Sequence, residues 1–138
     1  MTYKRIEDYG LIGNMHTAAL VGSDGSIDWF CLPFFDSPAV FNSLLDDEKG
    51  GRFSISAVDS VDHRQIYFPN TNVLITRFGS DNSAAQVTDF MPVHEEHEFG
   101  GDSWSDDSAD LCGDHSKIVR LVQGVLGETE MRMECTPA

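Results

Sequence analysis

The strongest constraint on the fold is an Asp-Gly pair that lies between two short apolar runs. Residues 17–21 (TAALV) and 26–30 (SIDWF) flank the turn-forming residues 22–25 (GSDG). Glycine accepts the positive φ that a tight hairpin turn requires, so Asp-Gly between apolar runs is a strong hairpin signal. The sequence therefore predicts two antiparallel strands joined by this turn.

More short strands follow along the chain. Residues 72–78 (NVLITRF) alternate most clearly, which places Leu74, Thr76 and Phe78 on one face of a strand. The other predicted strands are residues 52–56, 65–68, 86–90, 117–122 and 130–135. Many short strands separated by turns, with only one helix, predict an antiparallel β-sandwich.

The one helix is expected within residues 37–51. Ser37 can cap a helix, and Pro38 fits its first position. The apolar residues that follow fall at helical spacing: Val40, Phe41, Leu44 and Leu45. Two glycines at residues 50–51 end the segment. We therefore expect a mainly β fold with one short helix.

The acidic composition limits the partners of the chain. The 23 Asp and Glu residues against 9 Lys and Arg give a formal net charge of −14. Binding to nucleic acid or to an anionic membrane surface is disfavoured, because both need a basic patch. Residues 94–116 are rich in acids and have no Lys or Arg, so we predict a long, mobile acidic loop there.

The N-terminus and the cysteines indicate the compartment. The first ten residues, MTYKRIEDYG, lack the apolar segment of a signal peptide, and no apolar run approaches the length of a membrane span. Cys31, Cys112 and Cys135 are an odd number without metal-like spacing, so reduced thiols in a cytoplasm are expected. Cys31 has no His near it in the sequence and is expected as a buried thiol.

The length of 138 residues suits one domain. The last predicted strand is followed directly by residues 136–138, without an element that would cover an open sheet edge. We therefore expect the β-domain to be a truncated part of a longer chain.

Several motifs occur together and in order along the chain. Residues 6–46 include IEDYGLIGNMHTAALVGSDGSIDWFCLPFFDSP, and GGRFSI, YFPNTNVLITRF, VTDFMPV and IVRLVQGVLGETEMRMECTPA follow. The combined string resembles the amino-terminal region of glucoamylase-like and trehalase-like enzymes of glycoside hydrolase family 15. The resemblance covers nearly the whole chain apart from the acidic loop.

The resemblance implies a supersandwich-like N-terminal β-domain that precedes a catalytic (α/α)6 barrel. Family members hydrolyse α-glucosidic bonds with inversion, using two glutamates on the barrel, one as general acid and one as the base that activates water. Residues 1–138 contain no run that could build this barrel, so the chain is expected to be a non-catalytic module of an enzyme. Its expected partner is the barrel of the same parent protein, with trehalose or malto-oligosaccharides as substrates and no cofactor.

The aromatic stretch WFCLPFFDSP is the candidate functional segment. Trp29, Phe34 and Phe35 could stack on sugar rings, and Asp36 could bind hydroxyls at the mouth of the catalytic pocket. The pattern favours packing of these aromatic side chains in the core or at the domain interface. In that interpretation, Phe35 fills the core directly before Ser37. The family commonly has Arg at the position of Phe34, so a cation that could pair with Asp36 or reach a sugar is missing here.

Other reactive residues have simpler structural explanations. His94 and His97, with His115 as an outside ligand, could bind zinc, but a solvated acidic loop explains them better. The acidic residues at positions 7–8 and 46–48 are expected at the surface for the same reason. No metal site is therefore predicted.

Two other functions stay open. The aromatic stretch would also suit a stand-alone carbohydrate-binding module, and an open sheet edge would suit an acidic scaffold that self-associates. The sequence does not separate trehalose from malto-oligosaccharides, because the resemblance places the discriminating subsites on the barrel.

Overall fold

The computed structural model describes residues 3–60, 62–93 and 116–138. Their elements are a 3-10 turn at Ile6–Asp8 and the strands β1 (Tyr9–Gly13), β2 (Ala18–Gly22), β3 (Ser26–Cys31), β4 (Ala39–Phe41), β5 (Arg52–Ala57), β6 (Asp62–Tyr67), β7 (Leu74–Gly79), β8 (Ala84–Phe90), β9 (Val119–Leu126) and β10 (Met131–Thr136). No helix long and apolar enough to cross a membrane occurs in these ranges.

The strands form two antiparallel sheets. The first sheet has the order β1-β2-β3-β5-β10, with β4 also paired to β3. The second sheet has the order β6-β7-β8-β9. This architecture confirms the predicted mainly β antiparallel sandwich.

The core lies between the two sheets. Its larger cluster joins buried side chains of the first sheet, such as Ile12, Val21 and Ile27, to Leu74 on β7 and to Met91. A smaller cluster consists of Ile55, Phe78 and Val87, with partly buried side chains packed against it. Both clusters take residues from both sheets, so burial of these apolar side chains holds the sandwich together.

The short helix predicted within residues 37–51 is wrong. This region begins with β4, which pairs with β3 through Phe41 opposite Phe30. The residues after β4 form turns, closed by a hydrogen bond from the Asn42 N–H to the Gly50 carbonyl at 2.6 Å. The spacing of the apolar residues fits a helix, but the strand pairing buries Phe41 against the core instead.

The predicted hairpin is confirmed as β2 and β3. Gly25 in its turn has φ +84°, the left-handed region that favours glycine. An added Cβ there would lie 2.1 Å from the Ile55 carbonyl oxygen, so the turn also needs a residue without a side chain. The sequence missed β1, and the predicted acidic loop at 94–116 lies outside the described residues except for Ser116.

Candidate functional surface

The candidate aromatic residues lie on the β3–β4 hairpin. Trp29 is part of β3, and Phe34, Phe35 and Asp36 follow in the loop that leads back to β4. Two hydrogen bonds close this loop, from the Ser37 N–H to the Phe34 carbonyl and from the Phe34 N–H to Ser37 Oγ, both at 3.1 Å. A closed loop on a paired hairpin presents its side chains in a fixed direction.

The structure places these side chains at the surface. Phe34 is 40% exposed and Phe35 is 55% exposed, while Asp36 is also exposed. Trp29 is half-buried, and its ring centroid lies 6.0 Å from that of Phe35 with a tilt of 31°. The expectation that Phe35 fills the core is therefore wrong, because the loop carries it over the outer face of the first sheet.

The exposed side chains of the β3–β4 hairpin, together with Trp29, form what we call the aromatic surface, and the β1–β2 loop extends it. The His16 ring meets the Phe34 ring edge-on at 6.3 Å, and Met15 beside it is 89% exposed. Thr17 fixes the two loops together, because its hydroxyl donates to the Cys31 carbonyl at 2.6 Å. The surface therefore combines aromatic faces, a thioether and an imidazole, groups that can bind either the apolar face of a sugar or a protein partner.

A bulge in β3 sets the direction of Trp29. Val21 pairs with Ile27, but the preceding residue Leu20 pairs with Trp29, so Asp28 is an extra residue in β3. Val21 and Ile27 are buried in the core, and Leu20 and Trp29 lie together on the opposite face. The bulge thus turns Trp29 away from the core and towards the loop between β3 and β4 that carries Phe34, Phe35 and Asp36, which we call the aromatic loop.

The bulged Asp28 is the centre of a buried polar cluster. Its carboxylate accepts hydrogen bonds from Lys4 Nζ at 2.6 Å, the Tyr9 hydroxyl at 2.9 Å and the Ser43 hydroxyl at 3.0 Å. Ser26 Oγ also donates to this carboxylate, to Asp28 Oδ1 at 2.5 Å. The cluster therefore ties the N-terminal segment, β1, β3 and the turns after β4 to one carboxylate.

The cluster shifts the pKa values of two of its members, Asp28 and Tyr9. Burial alone would raise the pKa of Asp28, but the hydrogen bonds from Lys4, Ser26 and Tyr9 outweigh it and hold the pKa below its ordinary value. Burial and the hydrogen bond to Asp28 raise the pKa of Tyr9. Asp28 is thus a fully partnered anion, which suits an anchor rather than an acid or base.

A second buried ion pair, between Asp89 and Arg120, connects the two sheets. Arg120 donates from Nε to Asp89 Oδ1 at 2.8 Å and from Nη2 to Oδ2 at 3.1 Å. The guanidinium also donates to the carbonyls of Phe53 at 2.9 Å and Gly25 at 2.6 Å in the opposite sheet. Burial raises the pKa of Asp89, and the paired Arg120 opposes this shift.

A polar groove of about 430 Å³ lies between the start of β1 and β6. Glu7, Asp8, His63 and Tyr67 are among its lining residues, and no residue of the aromatic loop is. Gln65, which also lines it, donates to the Val21 carbonyl and to Thr76 Oγ, so this side chain holds the sheets together. The groove is therefore separate from the aromatic surface.

The other candidate residues that the structure describes lie as the simpler structural explanations predict, with acids at the surface and a buried thiol. Glu7 is exposed and pairs with Arg5, and Asp47 pairs with Arg52 at the surface. Cys31 is buried, and burial raises the pKa of its thiol.

Within the described ranges, no group of three or more His, Cys, Asp or Glu residues could hold a metal ion. The weak zinc candidates His94 and His97 lie outside those ranges.

Sequence reasoning missed the two buried acids, Asp28 and Asp89. A signal for both exists, since each acid stands inside a run of apolar or β-branched residues that is predicted as a strand. An acid at such a position must find partners, because a buried unpaired carboxylate is costly. The identity of the partners depends on contacts between distant parts of the chain.

Comparison with known proteins identifies the family. The family model described as "Trehalase-like, N-terminal" matches residues 2–101. The chain is 48% identical over 96 residues to a trehalase of Thermoplasma volcanium, covering 67% of this chain and 15% of that protein. It is 31% identical over 135 residues to a trehalase of Mycolicibacterium smegmatis, covering 96% of this chain and 20% of that protein.

A trehalase of Sulfolobus acidocaldarius is 46% identical over 86 residues, or 62% of this chain and 15% of that protein. No solved structure matches the chain. The chain thus spans a fifth or less of the length of these curated relatives. The match to more than two thirds of its residues shows that the chain belongs to the trehalase-like N-terminal family.

Proposed function

We propose that the chain is the non-catalytic N-terminal module of an inverting α-glucosidic-bond hydrolase of the trehalase or glucoamylase type, as in glycoside hydrolase family 15. The module supports the catalytic helical barrel of its parent protein and shapes the mouth of the substrate pocket. The parent is the enzyme, and it acts on trehalose or malto-oligosaccharides. The proposal is supported by the family membership and by the small share of each trehalase that the chain covers.

The aromatic surface is the part that we assign to the barrel or its pocket. Phe34, Phe35 and Asp36 are exposed in the loop that follows β3, whereas the side chains of β3 are buried apart from the half-buried Trp29. The Trp29 ring lies beside the ring of Phe35. Exposed aromatic rings on a rigid scaffold suit a docking or stacking role, because little conformational entropy is lost on binding. This observation carries the proposal that the surface faces the substrate side of the parent.

The test is a chimera in which this chain replaces the matched segment of the M. smegmatis trehalase. The folded chimera should hydrolyse trehalose, whereas the isolated chain should release no glucose from trehalose or maltose. Phe35→Ala or Asp36→Ala in the chimera should raise KM, with Asp59→Ala, an exposed acid on another loop, as the control. Glucose release by the isolated chain, or a folded chimera without activity, would contradict the proposal.

A stand-alone carbohydrate-binding module is the second candidate, and the Trp29–Phe35 pair favours it. Calorimetric titration of the isolated chain with trehalose and malto-oligosaccharides tests it directly. Heat that disappears in Phe35→Ala would support binding at this surface. The absence of heat at millimolar ligand would remove this candidate.

A cytoplasmic location is part of the proposal. Cys31 and Cys135 are free thiols, and Cys135 is exposed. An exposed free thiol suits a reducing compartment, where it is not drawn into disulfides. Thiol labelling of the native protein from freshly lysed cells should modify Cys135, and a blocked, disulfide-bonded Cys135 would contradict this location.

A further inference from the structure

The bulge at Asp28 distinguishes two registers in which β3 can pair with β2. In the observed register, Leu20 pairs with Trp29 on the outer face of the first sheet, and Asp28 is the extra residue. Without the bulge, Asp28 would pair with Leu20, because Val21 already pairs with Ile27. A shift by one residue moves a side chain to the other face of a sheet. The register without the bulge would therefore carry Asp28 to the outer face and Trp29 to the inner face.

The apolar side chains of β3 favour the bulge. Ile27 and Phe30 both lie in the core, although they are three residues apart. Strict alternation would place them on opposite faces, so the extra residue between them lets both reach the core. The cost of the bulge falls on Asp28, which is 4% exposed, because a buried carboxylate without a counter-charge is unfavourable. The register thus depends on how this charge is compensated.

Lys4 supplies the compensating charge. Its Nζ lies 2.6 Å from Asp28 Oδ2 and 2.9 Å from Asp24 Oδ2, and the side chain of Lys4 is 22% exposed. Within the part of the chain that the structure describes, no other cation pairs with Asp28. Three hydroxyl groups of the cluster also donate to this carboxylate, but they carry no charge. Loss of the Lys4 ammonium would leave a buried anion with neutral partners.

The backbone of the bulge is held as well. An extra residue in a strand is left out of the ladder of hydrogen bonds. The Asp28 carbonyl instead accepts a hydrogen bond from the Leu44 N–H at 3.0 Å, in the turns that follow β4. Leu44 therefore holds the backbone of the bulge residue, and Lys4 holds its side chain.

The register decides where the Trp29 ring lies. In the observed register the ring centroid of Trp29 is 6.0 Å from that of Phe35. Without the bulge, Trp29 would pair with Ala19, which is fully buried in the core. Directly opposed residues share a face of the sheet, so the contact with Phe35 on the outer face would be lost.

We propose that Lys4 is a positioning residue of the aromatic surface. Through its ion pair with Asp28, Lys4 selects the bulged register of β3, which keeps Trp29 on the outer face beside Phe35. Fixing a register is the best-attested use of buried polar groups, and bulges often redirect a side chain beside a functional site. The use of this surface by the parent enzyme rests on the function proposed above, whereas the positioning itself does not.

The experiment measures nuclear Overhauser effects (NOEs) between aromatic rings in the full chain. Lys4→Met removes the ammonium and keeps most of the length of the side chain. This variant should lose the NOE between Trp29 and Phe35. It should keep the NOE between Phe41 and Phe53, whose rings lie 6.2 Å apart at the core and report that the chain is folded.

Two further variants test whether the charge of Lys4 is responsible. Lys4→Arg keeps the charge and should keep the NOE between Trp29 and Phe35. Lys49→Met makes the same change as Lys4→Met at an exposed position and should keep both NOEs. An intact Trp29–Phe35 NOE in Lys4→Met would overturn the proposal, and so would its loss in Lys4→Arg. Loss of both NOEs in Lys4→Met and also in the milder Lys4→Gln would show that the ion pair holds the whole fold, which would overturn a positioning role.

Kinetics of the chimera with the M. smegmatis trehalase separate this proposal from the function proposed above. Lys4→Met should raise KM for trehalose, as Phe35→Ala does, and should leave kcat unchanged. An unchanged KM in Phe35→Ala would contradict the proposed function of the surface, while the NOEs would still report the positioning. A raised KM in Phe35→Ala, together with intact NOEs in Lys4→Met, would contradict the positioning alone.

Discussion

The hydroxyl of Tyr67 bonds to both backbone groups of Leu11. It donates to the Leu11 carbonyl and accepts from the Leu11 N–H, each at 2.8 Å. Leu11 lies in β1, at the end of the first sheet, and Tyr67 ends β6, at the end of the second sheet. One side chain of the second sheet thus takes the place of a neighbouring strand for the first sheet, and it holds the two sheets together at this edge.

Removal of this hydroxyl should open the edge of β1. We expect Tyr67→Phe to lower the free energy of unfolding by about 1–2 kcal/mol, because two hydrogen bonds of roughly 1 kcal/mol each are lost at a partly exposed site. Hydrogen exchange of the Leu11 amide should become faster in the same variant. Tyr3→Phe is the control, since the Tyr3 hydroxyl only reaches the Leu45 carbonyl at 3.5 Å. Unchanged exchange at Leu11 would contradict this role.

The ion pair of Asp89 and Arg120 should be costly to break from one side. Their side chains are 0% and 3% exposed, and Asp89→Asn leaves the guanidinium of Arg120 buried without its counter-charge. We expect a loss of about 3–5 kcal/mol of unfolding free energy, measured by urea denaturation. Asp81→Asn, in an exposed turn, should change it by less than about 0.5 kcal/mol. Equal effects of the two substitutions would show that the pair does not hold the sheets together.

Asp28 should make stability depend on pH in the acid range. Its folded pKa lies below its ordinary value, so its contribution is fully present above an unfolded pKa of about 4 and is lost as the pH falls through the folded pKa. Lys4 and Tyr9 are the titratable groups that bond to it. Burial and the hydrogen bond to Asp28 raise the pKa of Tyr9, so the Tyr9 hydroxyl keeps its proton throughout this range.

The measurement is the thermal midpoint of the wild type and of Asp28→Asn between neutral pH and about pH 3, a range that spans the ordinary carboxyl pKa. The variant should be less stable at neutral pH and should lose less stability on acidification. Asp36→Asn, an exposed acid of the aromatic loop, is the control and should keep the wild-type pH dependence. An unchanged acid response in Asp28→Asn would contradict the anchoring role of this carboxylate.

Local signals predicted the parts of the fold that depend on neighbouring residues. The Asp-Gly turn gave the β2–β3 hairpin, and alternation gave β7, whose buried and exposed residues follow the predicted faces. A helix was predicted because the apolar residues from Val40 to Leu45 fit helical spacing, and this prediction is wrong. Leu45 is in fact 72% exposed, and the pairing of Phe41 with Phe30 decides the structure. β1 was missed because its two glycines, at positions 10 and 13, weaken a strand pattern.

The candidate surface was predicted only in part, for a similar reason. The residue types of the aromatic stretch were evident from the sequence, but the direction of each side chain depends on the bulge at Asp28. The Asp28 carboxylate at that bulge is held by hydrogen bonds from Lys4, Tyr9 and Ser43. None of these residues is close to Asp28 in the sequence, so neither the bulge nor the exposure of Phe35 could be read locally.

The last prediction separates the exposed aromatic residues from the buried ones. Phe30 and Phe35 belong to the same hairpin, but Phe30 is 6% exposed in the core, whereas Phe35 lies on the surface. Phe30→Ala should lower the free energy of unfolding by about 3–5 kcal/mol, because a buried ring is lost and a cavity remains. Phe35→Ala should cost less than about 1 kcal/mol, because most of the change occurs in solvent.

Urea denaturation of both variants under the same conditions provides the comparison, with the wild type as reference. A large difference between the two costs leaves the Phe35 ring available for the docking or stacking role proposed above. Equal and large costs would mean that Phe35 packs in the core in solution, and the aromatic loop could then no longer serve as the functional surface.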